Sequence, residues 1–135
     1  MNIVCLGDSI TAAGGIGECD RWVTILGNKL NEWKPGKFNV YNRGIGGNTT
    51  AQGRDRFAGD VHAYLPGMLL VEFGFNDASV VAPFKNNRVS VDEFKRNLES
   101  FYLAAKVSKS RVVFIVNHTI IRKSGYKQFN GKEYA

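Results

Sequence analysis

Residues Ile3 to Leu6 form a short apolar, partly β-branched run that is cut off by Gly7-Asp8-Ser9. This junction constrains the fold more than any other stretch. A run without polar alternation fills the middle of a sheet that is covered on both faces. A strand of that kind, ending in a glycine, an acid and a hydroxyl, delivers the Ser9 oxygen to the carboxyl end of the sheet. In open α/β sheets that edge is where ligands and chemistry collect. Ser9 is therefore a candidate nucleophile, and much of the remaining chain is expected to position groups around it.

The chain after Ser9 alternates between helical and strand patterns. Asp20 is placed to cap a helix running to about Trp33, with Trp22, Val23, Ile25, Leu26, Leu30 and Trp33 as a broad inward stripe. Both tryptophans are expected in the core. After Pro35-Gly36, Phe38 to Tyr41 predicts a second strand that breaks into Asn42-Arg43-Gly44-Ile45-Gly46-Gly47-Asn48-Thr49. Thr49 or Thr50 starts a helix predicted to reach about Tyr64, before Pro66. Met68 to Phe73 is a third strand, ending in Gly74-Phe75-Asn76-Asp77. Ser90-Val91-Asp92-Glu93 has the pattern of a capping box, opening a helix with Val91, Phe94, Leu98, Phe101 and Ala105 on one side. Arg111 to Val116 is a fourth strand, with Asn117-His118-Thr119 at its exit. The alternation predicts a parallel sheet with helices on both faces, so that all four strand exits share one edge.

Composition removes several function classes. At 135 residues the chain predicts one domain, and its apolar fraction of 44% and charged fraction of 22% are those of an ordinary globular protein. The longest apolar runs are too short to span a bilayer, and the N-terminus lacks the features of a signal peptide. The expected location is the cytoplasm, with no membrane partner. Cys5 reads as a small buried group and Cys19 as a loop residue, forming neither a disulfide framework nor a metal site. The net charge of +6 suggests a nucleic-acid partner. The basic residues are scattered, however, apart from Arg122, Lys123 and Lys127, so no nucleic-acid partner is expected.

Three exits supply what acyl transfer needs. Ser9 offers a hydroxyl, Gly44 to Gly47 offer unobstructed backbone N–H groups, and Asn76 offers a donating carboxamide. In Gly7-Asp8-Ser9-Ile10-Thr11, in Asn42 to Thr49 and in Gly74-Phe75-Asn76-Asp77, the chain resembles the SGNH hydrolases, or GDSL family of esterases, lipases and acylhydrolases. The resemblance covers essentially the whole chain. It implies Ser9 as nucleophile and first oxyanion donor through its own N–H, Gly47 as second donor and Asn76 as third. Gly46 is the nearest alternative to Gly47. It also implies a three-layer α/β sandwich with a flavodoxin-like sheet, a small-molecule ester as substrate, and no cofactor or metal. Thr11 stands where the second glycine of a Gly-x-Ser-x-Gly elbow would be, which argues against an ordinary α/β-hydrolase.

The family's base and its orienting acid come from an Asp-x-x-His pair after a fifth strand. This sequence has no such pair, fifth strand or final helix before Ala135. The expectation is one SGNH-like domain over residues 1–135, incomplete at its C-terminus, with sheet order 2-1-3-4 and impaired or absent activity. The alternative is an inactive acyl- or glycan-binding relic of the fold. Self-association, or completion by a separate C-terminal segment, is expected through the apolar strand 111–116.

Other readings stand beside these. Ser9 could simply cap the following helix. Asp8 is expected to bond backbone groups in the turn and to fix Ser9, and Asp77 to brace the Asn76 loop. Gly44 to Gly47 lack the spacing and lysine of a phosphate cradle. His62 falls within a helix, away from the exits. His118 either lines the acyl or alcohol pocket, serves as a makeshift base, or is a polar loop residue.

Overall fold

A computed structural model describes residues 1–81, 83 and 85–118, and the backbone of 133–134. Four parallel strands form the sheet: β1 (Asn2–Gly7), β2 (Asn39–Gly44), β3 (Gly67–Glu72) and β5 (Arg111–Phe114), in the order β2-β1-β3-β5. In register, Leu6 of β1 lies between Arg43 of β2 and Val71 of β3, and Leu69 of β3 pairs with Val112 of β5. The expected parallel α/β sheet is therefore present. The expected fourth strand is β5, because a two-residue strand, β4 (Ser79–Val80), precedes it and pairs antiparallel with β6 (Glu133–Tyr134) outside the main sheet.

Successive side chains of a strand point to opposite faces, so β1 serves two cores. Ile3 and Cys5 pack with Val40, Met68 and Leu70 against Val23 and Leu30 of α2 (Trp22–Trp33). Val4 and Leu6 join Leu69 and Val71 on the other face. There they meet α4 (Phe57–Asp60) through Phe57, and α6 (Val91–Val107) through Phe101 and Ala105. Phe101 stacks between Phe57 and Phe73, with ring centroids 5.4 and 6.2 Å away. The Ser90 hydroxyl caps α6 by accepting from the Glu93 N–H at 3.2 Å, and Asp92 and Glu93 occupy its first turn.

Three local expectations are corrected. Asp20 does not cap α2: it closes a 3-10 turn (Glu18–Asp20), and extended Arg21 makes Trp22 the first helical residue. Trp33 is not in the core but 64% exposed, stacked on Phe38 at 6.0 Å with the Lys34 ammonium 4.2 Å from its ring centre. Trp22 is half-buried, its indole N–H donating to the Ile10 carbonyl at 3.1 Å. The helix predicted to reach Tyr64 is three pieces: α3 (Thr50–Asp55), α4 and a 3-10 turn (His62–Tyr64). The first break falls at Arg56, whose guanidinium donates to the carbonyls of Gly7 and Arg43 and to Asn48 Oδ1, each at 2.9 Å. At the break Arg56 reaches the top of the sheet while the next residue, Phe57, stays in the core.

Among the described residues β5 is an edge of the main sheet, with Val113 and Phe114 substantially exposed and Val116 beyond it 90% exposed. Thr119, Arg122, Lys123 and Lys127 lie outside the described residues.

Candidate functional site

The first exit is built by close packing. A Cβ on Gly7 would lie 2.1 Å from Thr11 Oγ1 and 2.6 Å from the Glu72 carbonyl oxygen, so only glycine fits between β1 and β3 there. Asp8, 1% exposed, then caps the single-turn helix α1 (Ser9–Ala12), its Oδ1 accepting from the Ile10 N–H at 2.9 Å. The cap is thus Asp8 and not Ser9. Ser9 is the first helical residue and is exposed, so its hydroxyl is free of the structural duty that the simplest alternative assigned to it.

The second exit is stitched to the first. The Ile45 N–H donates to the Gly7 carbonyl at 3.0 Å, and Asn42 Nδ2 donates to the Thr11 carbonyl at 3.0 Å. Gly44 lies so close to α1 that a Cβ there would sit 2.1 Å from the Ala12 nitrogen. A Cβ on Gly46 would lie 3.9 Å from Ser9 Cβ, which puts this glycine beside Ser9. Gly47 has φ +78°, in the left-handed region that favours glycine. Its carbonyl accepts from Arg88 Nη1 at 2.9 Å. Thr49 then caps α3 in a reciprocal box with Gln52.

The third exit closes over both. Gly74, at φ +143°, turns the chain into the short helix α5 (Phe75–Ala78). Asn76 is buried, and its Nδ2 donates to Asp8 Oδ2 at 3.0 Å and to the Asn48 carbonyl at 3.1 Å. One carboxamide therefore ties all three exits together. Asp77 Oδ1 accepts from both the N–H and the hydroxyl of Thr50. Asn97 Nδ2 donates to that hydroxyl, and Arg54 Nη1 to Asn97 Oδ1, each at 3.0 Å. Burial pushes the Asp77 carboxyl up, against the Thr50 hydrogen bonds that favour its charge.

Glu72, one residue from the end of the apolar run, was not singled out from sequence. It is 2% exposed, with Oε2 accepting from Thr11 Oγ1 at 3.0 Å. Burial first, and the neighbouring Asp8 second, push its carboxyl up to about 7. The only sequence-level signal was an acid inside an otherwise apolar strand.

His118 is exposed at the β5 exit, its ring edge-on to Phe75 at 5.1 Å. It borders an apolar cavity of about 320 Å³ walled by Val71, Phe73, Phe94, Leu98 and Phe114. His62 is also exposed, edge-on to Phe57 at 5.4 Å. Among the described residues no hydrogen bond joins either histidine to Ser9, and no cluster of three or more His, Cys, Asp or Glu side chains could hold a metal ion. No helix among them is long and apolar enough to cross a membrane.

A parallel sheet whose first strand delivers a serine to an edge shared with a glycine loop and a buried asparagine is the scaffold of an SGNH-type hydrolase. Residues 5–133 match the model of the GDSL-like lipase/acylhydrolase family, and the chain belongs to that family. It is 33% identical over 129 residues to the uncharacterized lipoprotein YqeF of Bacillus subtilis, covering 92% of this chain and 51% of that protein. It is 26% identical over 115 residues to esterase TesA of Pseudomonas aeruginosa, covering 85% and 53%. Among solved structures, a variant of the acetyl xylan esterase Axe2 of Geobacillus stearothermophilus superposes with TM-score 0.71 at 27% identity, covering 84% of this chain and 58% of the other. The chain thus spans about half the length of the curated relatives it matches.

Proposed function

We propose that this chain carries the nucleophile and oxyanion-binding half of a carboxylic ester hydrolase acting on a small-molecule ester, with neither a nucleic acid nor a membrane as partner. Ser9 Oγ attacks the ester carbonyl. The developing oxyanion is met by the N–H groups of Ser9 and Gly47 and by the Asn76 carboxamide, with Gly46 flanking the hydroxyl. An acyl-enzyme on Ser9 forms and then falls to water. The observation that carries this reading is the bridge from Asn76 Nδ2 to Asp8 Oδ2 and the Asn48 carbonyl, which gathers three distant stretches beneath an exposed serine.

A serine hydroxyl at its ordinary pKa needs an adjacent base. Neither His62 nor His118 is hydrogen-bonded to Ser9. This favours, as second reading, a chain that binds an acyl or glycan group without turning it over. Para-nitrophenyl acetate hydrolysis, measured beside Ser9→Ala and His118→Ala, separates the readings. Covalent capture of a fluorophosphonate, read by intact mass, is measured in parallel. Ser9-dependent turnover or labelling supports the hydrolase. Ligand binding with neither supports the binding relic. Loss of both in His118→Ala alone would make His118 the base, and unchanged rates would leave it a wall of the apolar cavity.

A further inference from the structure

We propose that Glu72 is a positioning residue: it holds a proton that it donates to Asp8, and this acid pair locks the Ser9 turn to the Asn76 loop. The inference rests on the nucleophile reading for its effect on Ser9, but not for the acid pair itself.

The allocation of the proton follows from counting donors. Asp8 receives an N–H on each oxygen, from Ile10 on Oδ1 at 2.9 Å and from Asn76 on Oδ2 at 3.0 Å. Among the described residues Glu72 receives the Thr11 hydroxyl on Oε2, and the Asn117 carboxamide beside it also favours its charge, but that amide is engaged by the Phe73 carbonyl and the buried Oε1 has no hydrogen-bond partner. Gly7 pairs with Glu72 in register and Thr11 bonds its carboxyl, so Asp8 and Glu72 flank the same turn, close enough for the Asp8 charge to act on Glu72, and both side chains are almost fully excluded from solvent. Two adjacent buried carboxylates cannot both ionise cheaply, and an unpartnered buried oxygen is costly. A proton on Glu72 Oε1 removes both penalties at once, because that oxygen becomes a donor and Asp8 is a ready acceptor.

Among the described residues no cation takes over this task. Arg56 is committed to the Gly7 and Arg43 carbonyls, Asn48 Oδ1 and Asp60. Arg43 meets the Tyr64 hydroxyl, and Asp77 is held by Thr50. At the β5 exit, Asn117 Nδ2 donates to the Phe73 carbonyl at 3.3 Å, and His118 rests on Phe75. The consequence is directional. Glu72 binds its proton more tightly in the folded chain than in the unfolded one, where its pKa is near 4.5 against about 7 when folded. Its stabilisation is complete at acid pH and is lost as pH rises through the folded value. Above that, two anions face each other under Ser9, and the pair pushes Asp8 away from Asn76.

Two readouts on the full chain test this. Thermal melting from about pH 5 to pH 8 should show the wild type losing ~5–10 °C relative to Glu72→Gln, whose amide donates to Asp8 at every pH. Equal pH slopes in the two proteins would overturn the shared proton. If Glu72→Gln fails to fold, carbon-13 titration of the wild-type glutamate carboxyls decides instead: one titrating near neutrality is expected, and all of them below about pH 5.5 would overturn it. The second readout is the fluorophosphonate labelling rate. The ratio of Glu72→Gln to wild type should rise several-fold across the same interval, and a constant ratio would refute the positioning role. An absence of labelling in both proteins at every pH would reject Ser9 as nucleophile, and the positioning role with it, while the melting comparison would still decide the acid pair.

Discussion

Gly44→Ala turns one close approach into a test of how the site is assembled. An alanine Cβ there would stand 2.1 Å from the Ala12 nitrogen and 2.6 Å from both Ala12 Cα and the Thr11 carbonyl carbon. The shortest of these is about 1.3 Å inside the 3.4 Å at which ordinary contact begins. All three atoms are backbone, so no rotamer change relieves the clash. Helix α1 is a single turn closed by the Ala12 N–H on the Asp8 carbonyl at 2.9 Å, and it must move as a body, taking Ser9 with it. Overpacking of this kind costs roughly 1–3 kcal/mol of stability. On the proposed function, a displacement of about 1 Å between Ser9 and its oxyanion donors lowers reactivity on the order of a hundredfold. Urea melts and the labelling rate of Ser9 measure the two effects separately. Gly59→Ala is the control, since its Cβ meets nothing within 4 Å, and alanine in a helix is preferred over glycine by about 1 kcal/mol. A Gly44→Ala protein that melts and labels like the wild type would refute the claim that β2 and α1 are held in contact through this glycine.

Other perturbations have definite outcomes. Asn97→Leu keeps the branched shape but removes the carboxamide that Arg54 and Thr50 share, and should cost roughly 2–4 kcal/mol by urea melting. Gly47→Ala meets no atom within 4 Å but must adopt φ +78°, so it should lose about 1 kcal/mol through strain alone, and Gly47→Asn should recover part of it. Of the two thiols, Cys19 is exposed, whereas burial pushes Cys5 up to about 12. A disulfide reagent near neutral pH should therefore titrate one thiol in the folded chain and both in denaturant.

What could be read from sequence was local. The halt of β1 at Gly7, the Thr49 cap and the Ser90 cap each depend on neighbours within a few residues. What escaped depended on partners far along the chain. Arg56 sits inside an unbroken helical pattern, and the acceptors it reaches at the break, among them the Gly7 carbonyl 49 positions earlier, are not visible from that pattern. Glu72 looks like a stray acid until Thr11, 61 positions away, and Asp8 are beside it. Trp33 continues an apolar stripe, but periodicity states only which helix face it shares. It does not state whether the fold supplies a neighbour beyond Phe38 to cover it.

Asn76 shows how such long-range wiring bears on chemistry. Its carboxamide has two N–H donors, and both are already engaged, by Asp8 Oδ2 and by the Asn48 carbonyl. On the proposed function, an oxyanion must displace one of these acceptors. The Asp8 bond fixes the orientation of the group and is charge-assisted, so the neutral Asn48 carbonyl is the acceptor to be replaced. The exchange costs little, because one acceptor is traded for another and the incoming one carries negative charge, which makes the new bond stronger. Until then the Asn48 carbonyl keeps the donor aligned at 3.1 Å. The same residue that ties the three exits together is thereby preorganised to serve the carbonyl oxygen above Ser9. Asn76→Asp, which retains the shape but loses both N–H donors and sets an anion against Asp8, should abolish Ser9 labelling and lower the melting temperature together.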